Sequence, residues 1–338
     1  MSQFPGQSRL LARDTQSRDS QYIDVIKNID FTPFFILGDH RSGTTLLYKL
    51  LAQTKCFNVV TAYHVIKYQE ILANHLEGKT EMARGELAAS FAELGIKDRV
   101  IDGMAVTPDF PEEYGFVIDP GSRPQLNEKT LPKFVELCSK VQFTGDAGRP
   151  LLLKNPWDSL RIAYIKKVFP ACRFVFIHRH PVAIINSQMQ AIRSLLGTRN
   201  GYAALTARWY RDLFDRPIHL AGARLLFSTR AHLLERVVAR HIVRVVSTFM
   251  QNRELLTAND CLSLRYEDLC QDPDGNIRRA LDFLRVHHRP IESYKGYIDR
   301  RPSKLLPEAS AAFYRIRERL EPYLALHGYE MQLSPASS

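Results

Sequence analysis

The feature that most constrains the fold is a short apolar run that leads through a glycine-containing turn into a helical pattern. Four apolar residues at 34–37, preceded by Pro33, predict a short buried strand. After Gly43 the apolar residues have helical spacing: Leu46, Leu47, Leu50 and Leu51. Such a turn directs several backbone N–H groups and the positive end of the helix dipole at one place. We therefore predict an anion-binding turn here.

The turn has the outline of a phosphate-binding P-loop, with Gly38 and Gly43 at the expected spacing. The lysine of that motif is replaced by Thr44, so the contact that it makes to the β- and γ-phosphates would be lost. The cation is instead Arg41, inside the turn. The turn is therefore expected to hold an anion other than ATP with magnesium. The alternative is an ordinary strand–helix turn capped by Ser42 or Thr44.

Further apolar runs alternate with helical patterns. The predicted strands are 56–60, 150–154, 173–177 and 261–269. The predicted helices are 63–76, 80–99, 131–141, one that starts at Pro181, 276–284 and Pro307–His327. This alternation predicts an α/β fold with a P-loop-like parallel sheet and helices on both faces. We expect an N-terminal arm at 1–30 and one α/β domain at 31–330, with a helical insertion or cap at 197–252.

Bulk composition limits the class of protein. The chain has 338 residues, of which 45% are hydrophobic, enough for the core of a large single domain. Its net charge of +10 favours nucleic acid, an acidic membrane or a highly charged small ligand as partner. The five cysteines are widely spaced, as is typical of reduced thiols. Because the sequence shows neither a spanning apolar run nor a signal peptide, we expect a cytoplasmic protein.

Two of the later predicted strands end at cations. Lys154 ends the strand at 150–154, and Arg179 follows the strand at 173–177. Ser187 comes two helical turns after Arg179. Because ligands collect at the carboxyl ends of parallel strands, we expect Lys154 beside the glycine-containing turn, and Arg179 with Ser187 as a second anion site.

These motifs together resemble the sulfotransferases that use 3′-phosphoadenosine 5′-phosphosulfate (PAPS), in the branch of the tyrosylprotein sulfotransferases and many bacterial enzymes. The resemblance spans about residues 31–330 and rests on four motifs. They are Ile36-Leu37-Gly38 with Arg41-Ser42-Gly43-Thr44-Thr45-Leu46, Phe174 to Ser187, Leu153-Lys154-Asn155-Pro156, and Arg265-Tyr266-Glu267-Asp268-Leu269.

The resemblance implies a role for each matching residue. Arg41 and Lys154 would stabilise charge on the sulfuryl oxygens and the departing phosphate. The loop residues would hold the 5′-phosphate: Ser42, Gly43, Thr44 and Thr45. Arg179 and Ser187 would hold the 3′-phosphate, and a loop at 300–304 would close over the nucleotide through Arg301 or Lys304. The family resemblance further implies in-line transfer without a metal, to a hydroxyl or amine on a small-molecule or peptide acceptor, and no nucleic-acid partner.

The acceptor also needs a general base. In the tyrosylprotein branch a glutamate follows the loop, and this sequence has none at that spacing. We take His64 as the first candidate because imidazole titrates near neutral pH; the alternative is a packing histidine. Asp158 is the second candidate. His40 is the third, at a position where the family usually has proline.

Two other functions stay open at this point. One is a P-loop-type nucleotide kinase, which Thr44 argues against. The other is a non-catalytic basic protein that binds nucleotide or nucleic acid. Clustering of Arg41, Lys154 and Arg179 at strand ends disfavours it, because nucleic-acid binders spread their charge over a groove or helix face.

Overall fold

A parallel sheet is the centre of the fold. The computed structural model describes residues 17–100, 103–121, 124–229, 232–287, 293–298 and 304–332. Within these ranges the strands are β1 Pro33–Leu37, β2 Asn58–Val59, β3 Leu151–Lys154, β4 Arg173–His178 and β5 Cys261–Arg265. They form one sheet in the order β2–β3–β1–β4–β5, with every neighbouring pair parallel.

The central strand β1 is apolar and buried along its whole length. Its neighbours are β3 and β4, so that Ile36 lies opposite Lys154 on one side and Val175 on the other. The carboxyl ends of the three strands therefore lie side by side. This arrangement brings together the residues that follow them in the chain.

Helices cover both faces of this sheet. Their bounds are α1 Thr44–Gln53, α2 Ala62–Ile66, α3 Ile71–Leu76, α4 Thr80–Glu93, α5 Gly115–Ile118, α6 Leu131–Thr144, α7 Ile162–Val168, α8 Pro181–Gly197, α9 Gly201–Thr206, α10 Arg208–Phe214, α11 Pro217–Leu226, α12 Leu233–Asn252, α13 Tyr266–Gln271, α14 Pro273–Leu284 and α15 Pro307–His327. Phe35 and Leu37 pack in a core with α6, α8, α12 and α15. Phe34 and Ile36 point to the opposite face and pack with α1 and α14. The predicted α/β class is confirmed.

Several predicted elements differ from the structure. The helix predicted at 80–99 ends at Glu93, shortly before Gly95 with its positive φ of 65°. The helix predicted at 63–76 is divided into α2, a 3₁₀ turn and α3, and the carbonyl of Tyr68 in that turn accepts a hydrogen bond from buried Lys140 (3.1 Å). The strand predicted at 56–60 is shorter because the Val60 N–H donates to the Tyr48 hydroxyl (3.1 Å) and not to the sheet. The strand predicted at 261–269 ends at Arg265. The acidic residues after it start α13, where the helix dipole stabilises carboxylates.

The segment predicted as one insertion, 197–252, has two parts. Helix α12 packs directly against the sheet, with the ring centroids of Phe249 and Phe176 4.6 Å apart. Only the part before it, α9 to α11, can form a cap. Residues 1–16 of the predicted arm lie outside the described ranges, and the 3₁₀ helix Arg18–Ile26 is anchored by an ion pair between buried Asp19 and Lys140 (2.9 Å).

Candidate active site

The turn between β1 and α1 has the backbone geometry of an anion cradle. Gly38, Arg41 and Gly43 all have positive φ angles (148°, 70° and 107°). A Cβ at Gly38 would lie 2.6 Å from the Ile177 carbonyl, and one at Gly43 would collide with the ring of Tyr266. The first N–H groups of α1 have no partner within the helix, so they are available to an anion. The close approach of β4 and Tyr266 explains why glycine is required at both positions.

A cleft of about 900 Å³ opens above this turn. The residues predicted for the site that line it are His40, Arg41, Gly43, Thr44, Thr45, Arg179, Ser187 and Lys304. Ser42 and Lys154 lie behind its wall, both buried. The described structure thus brings the predicted donor-binding residues together. The loop at 300–304 is the exception, because 299–303, with Arg301, lies outside the described residues.

The two predicted anion sites are directly connected. Arg41 Nε donates to Ser187 Oγ (3.0 Å), and Arg179 Nη1 donates to the Arg41 carbonyl (3.0 Å). The Arg179 guanidinium also lies 4.3 Å from the ring centroid of Tyr266, a cation–π contact. Ser187 therefore contacts the arginine of the first site and not the one predicted to be its partner. Tyr266 contacts both the turn and Arg179. The sequence motif that contains it did not indicate this supporting role.

Lys154 connects the β1–α1 turn to an acidic side chain. Its Nζ donates to Thr45 Oγ1 (3.0 Å) and to Glu113 Oε1 (2.9 Å), and its own exposure is 0%. Burial raises the pKa of Glu113, but the nearby positive charges of Lys154 and Arg99 outweigh it, so the net pKa is lowered. Glu113 is thus a carboxylate at neutral pH, and it lines the cleft.

Glu113 lines the cleft and contacts Lys154, but it is not among the site residues predicted from the sequence. It lies in the proline-containing segment 111–116, which has no periodicity; from the sequence this segment could be a connecting loop, the favoured interpretation, or part of a substrate cleft. Backbone hydrogen bonds from Ala62 to Phe110 and from Glu112 to Val60 (both 2.9 Å) hold this loop against the end of the sheet. The adjacent acidic pair in the loop was the available signal.

His64 does not lie in the cleft lining. Its Nδ1 accepts the Thr61 N–H (3.1 Å) while Thr61 Oγ1 accepts the His64 N–H (3.5 Å), a capping box at the start of α2. Burial, and next the charge of Arg84, lower its pKa to about 3. Because the side chain is committed to the cap and lacks basicity near neutral pH, we correct the prediction that His64 is the base.

The same geometry predicts the effect of replacing His64 with glutamine, a residue that fits a capping box. Turnover should stay within about threefold of the unchanged protein, because the side chain is outside the cleft. Below pH 6.5 the unfolded chain protonates His64 while the fold excludes the proton, so stability is lost as pH falls from 6.5 towards 3. The variant should therefore lose about 2 kcal/mol less between pH 7.5 and pH 5, measured by urea unfolding. A large fall in turnover would restore His64 to the mechanism.

The other two candidate bases differ in position. Asp158 is fully buried and accepts hydrogen bonds from the Tyr114 hydroxyl (2.5 Å) and the Leu126 N–H (2.7 Å). Burial raises its pKa to about 6, but it is not among the cleft residues. His40 does line the cleft, with its ring 4.6 Å from that of Trp157, and burial lowers its pKa. Of the three histidine and aspartate candidates, only His40 can meet a ligand.

Lys304 is the described residue of the loop at 300–304 that was expected to close over the nucleotide. Its carbonyl accepts hydrogen bonds from the side-chain amides of Asn186 and Gln190 (both 3.1 Å). The Leu306 N–H donates back to Asn186 Oδ1 (2.9 Å). The described end of this loop is thus fastened to α8, on the same helix as Ser187.

Two general properties complete the description. Across the described ranges, no three His, Cys, Asp or Glu side chains come together as a metal site would require. In the same ranges no helix combines the length and the apolar character needed to cross a bilayer.

Comparison with known proteins gives a curated relative and two similar folds. Omega-hydroxy-beta-dihydromenaquinone-9 sulfotransferase Stf3 of Mycobacterium tuberculosis (strain CDC 1551 / Oshkosh) is 28% identical over 277 residues. The match covers 75% of this chain and 62% of the relative, so the chain spans less than two thirds of that protein's length. The structure of sulfotransferase STF9 from Mycobacterium avium superposes with a TM-score of 0.55 at 18% identity, over 97% of this chain and 79% of that one. Sulfotransferase STF1 from Mycobacterium tuberculosis H37Rv gives 0.52 at 15% identity, over 94% and 78%.

The family assignment rests on a match to a family model. A model of the sulfotransferase family matches residues 33–220, more than half of the chain. The matched part contains the β1–α1 turn, Glu113, Lys154, Arg179 and Ser187. The structural likenesses, at their low identities, support the same fold. The chain therefore belongs to the sulfotransferase family.

Proposed function

We propose that this protein transfers a sulfuryl group from PAPS to a hydroxyl group of a small-molecule acceptor. The observation that carries the proposal is Lys154, which contacts Thr45 at the β1–α1 turn and Glu113 in the loop before α5. One buried cation thus lies between an anion cradle and a carboxylate. In-line transfer of a charged group between two oxygens needs this arrangement of positioned charges. The kinase and the non-catalytic binding protein find no support in the family match.

The donor would occupy the turn and the end of β4. The N–H groups of the turn and the hydroxyls of Thr44 and Thr45 would hold the 5′-phosphate, and Arg41 would stabilise the sulfuryl oxygens. Arg179 and Ser187 would hold the 3′-phosphate. All five of these residues line the same cleft. In this assignment Arg41 gives up its bond to Ser187 when the donor binds.

Glu113 takes the role of general base in this proposal. The acceptor hydroxyl gives its proton to the carboxylate while its oxygen forms the new S–O bond. The S–O bond to the 5′-phosphate breaks, and adenosine 3′,5′-bisphosphate leaves. Lys154 is paired with Glu113 before the reaction and stabilises the departing phosphate during it. The charge on that phosphate draws Lys154 away from Glu113. As that ion pair weakens, the pKa of Glu113 rises and the carboxylate becomes a better base.

The acceptor is proposed to be a hydroxyl on an apolar molecule. The described part of the cleft wall includes the apolar residues Leu46, Val100, Met104 and Ala105. The curated relative is named for a hydroxylated dihydromenaquinone, which gives independent support for an apolar alcohol. An amine acceptor, or a hydroxyl on a peptide, stays as the less favoured alternative.

A thermal-shift measurement tests the donor site. Adenosine 3′,5′-bisphosphate at about 100 times its Kd should stabilise the protein by about 2.7 kcal/mol, whereas ATP with magnesium or an oligonucleotide should not. Arg179→Ala should abolish this response, because it removes the proposed 3′-phosphate contact. Arg240→Ala is the matched control, since Arg240 is exposed on α12 and outside the cleft lining. Stabilisation by ATP with magnesium alone would contradict the proposal.

A further inference from the structure

Helix α11 exposes an apolar stripe that packs against nothing described in the structure. Leu220 is its buried residue, and it faces the protein. Ile218, Leu225 and Leu226 are 86%, 72% and 52% exposed. With Ala221 they fall on one side of the helix, at helical spacing. A single exposed leucine is ordinary, but an outward apolar stripe along a whole helix is not.

Basic residues surround this stripe. Arg224 borders it on one side and His219 on the other, by their positions around the helix. The segment 199–226 carries five arginines and only two aspartates: Arg199, Arg208, Arg211, Arg216 and Arg224, against Asp212 and Asp215. Trp209, on the preceding helix α10, is 38% exposed. Tryptophan and arginine beside an apolar stripe are typical of a helix that lies in a membrane interface.

We propose that α10 and α11 form a docking surface for an anionic lipid membrane, with the apolar stripe of α11 inserted between headgroups. Charge complementarity selects this occupant. A second copy of the chain would place the same basic surface against itself in a two-fold interface, and the arginines would repel. An anionic bilayer instead accepts both the apolar stripe and the arginines. This inference concerns a surface, and it does not depend on the proposed reaction.

Hydrogen bonds connect the docking surface to helix α8, which also carries cleft residues. Arg224 donates from Nε to the Leu196 carbonyl (2.7 Å) and from Nη2 to the Gly197 carbonyl (2.9 Å), at the C-terminal end of α8. Ser187, which lines the cleft, lies nine residues earlier on the same helix. That separation corresponds to about 14 Å along the helix axis. A bilayer bound at α11 would therefore lie close to the cleft.

Vesicle flotation tests the proposal. The protein should float with vesicles of phosphatidylcholine containing phosphatidylglycerol, and at least tenfold less with phosphatidylcholine alone. Ile218→Glu with Leu225→Glu should weaken binding at least tenfold, because two of the inserted side chains become charged. Both positions are exposed, so the fold should be kept. Leu255→Glu, at an apolar residue that is 69% exposed on another part of the surface, is the matched control and should bind normally.

The arginines provide a second arm of the test. Arg208→Gln with Arg216→Gln should reduce binding to anionic vesicles by about fivefold for each charge and leave the weak binding to neutral vesicles unchanged. Equal binding of the Ile218→Glu, Leu225→Glu variant and the unchanged protein would overturn the proposal. So would light scattering that shows a dimer which this variant dissociates, because the stripe would then be a self-association surface. Capture of an acidic protein without any vesicle binding would overturn it as well.

Discussion

Replacing Glu113 with glutamine is expected to lower turnover by about 10²- to 10⁴-fold, the usual contribution of a positioned general base. Glutamine keeps the shape of the side chain and its hydrogen bond with Lys154, but it cannot accept the acceptor's proton. The carboxylate contributes to the reaction rather than to donor binding, so the KM for the donor should change little. Steady-state kinetics with a hydroxyl acceptor measure both effects.

The variant also needs a stability control. Lys154 is buried, and without Glu113 it would lack its countercharge, a loss that costs about 3–5 kcal/mol in comparable cases. Glu112→Gln is the matched variant, since Glu112 is equally buried but accepts a hydrogen bond from Tyr202 (2.6 Å) outside the cleft lining. Turnover per folded molecule should fall only in the Glu113 variant. If both variants lose it alike, the loop has a structural role and Glu113 is not the base.

The sheet and the β1–α1 turn could be predicted because the sequence patterns that indicate them are local. Strands β1, β3 and β4 are short apolar runs buried on both faces, and Gly43 precedes a helical pattern. The rule that ligands gather at the carboxyl ends of parallel strands then brings Lys154 and Arg179 to one edge. These inferences need no knowledge of side-chain contacts, and the structure confirms the fold that they predicted.

The proposed general base could not be predicted in the same way. Glu113 reaches Lys154 only because the loop is fastened to Val60 and Ala62, contacts between segments about fifty residues apart that no periodicity encodes. For His64 a local pattern was present but had two explanations. Thr61 and His64 have the spacing of a capping box, with histidine in place of the usual Glu or Gln. The sequence alone does not distinguish this structural role from a chemical role as a base. A titratable side chain near a loop is therefore weak evidence until its backbone partners are known.

Two of the elements whose ends were wrong have a common cause. In both, a polar contact from elsewhere in the fold replaces a regular backbone hydrogen bond. Lys140 takes the carbonyl of Tyr68, and the Tyr48 hydroxyl takes the N–H of Val60. Tertiary contacts of this kind override local propensity, and the sequence around the affected residue does not show them.

Replacing Lys154 with methionine is expected to have the second large effect, a fall in turnover of about 10²- to 10³-fold, comparable to the loss of one charge-stabilising donor. Methionine fills the same space between Thr45 and Glu113 without a charge, so the departing phosphate loses the cation that would stabilise it. Lys140→Met is the matched control. Lys140 is also a buried lysine, ion-paired with Asp19 (2.9 Å) and Glu136 (2.8 Å), but these partners are not cleft residues, whereas the partners of Lys154 are. It should lose stability without losing turnover per folded molecule.

The pH dependence of kcat/KM tests whether Lys154 lowers the pKa of Glu113 in addition to stabilising the departing phosphate. In the unchanged protein burial raises the pKa of Glu113, and Lys154 is the strongest of the charges that bring it down. Without Lys154 the effect of burial is less opposed, so the pKa of Glu113 should rise. A base with a raised pKa is protonated at higher pH, and the acidic limb of kcat/KM should therefore move to higher pH in Lys154→Met. Glu113→Gln, which has no carboxylate to titrate, should lose that limb. An acidic limb that stays in place when Lys154 is replaced would show that the titrating group is not Glu113.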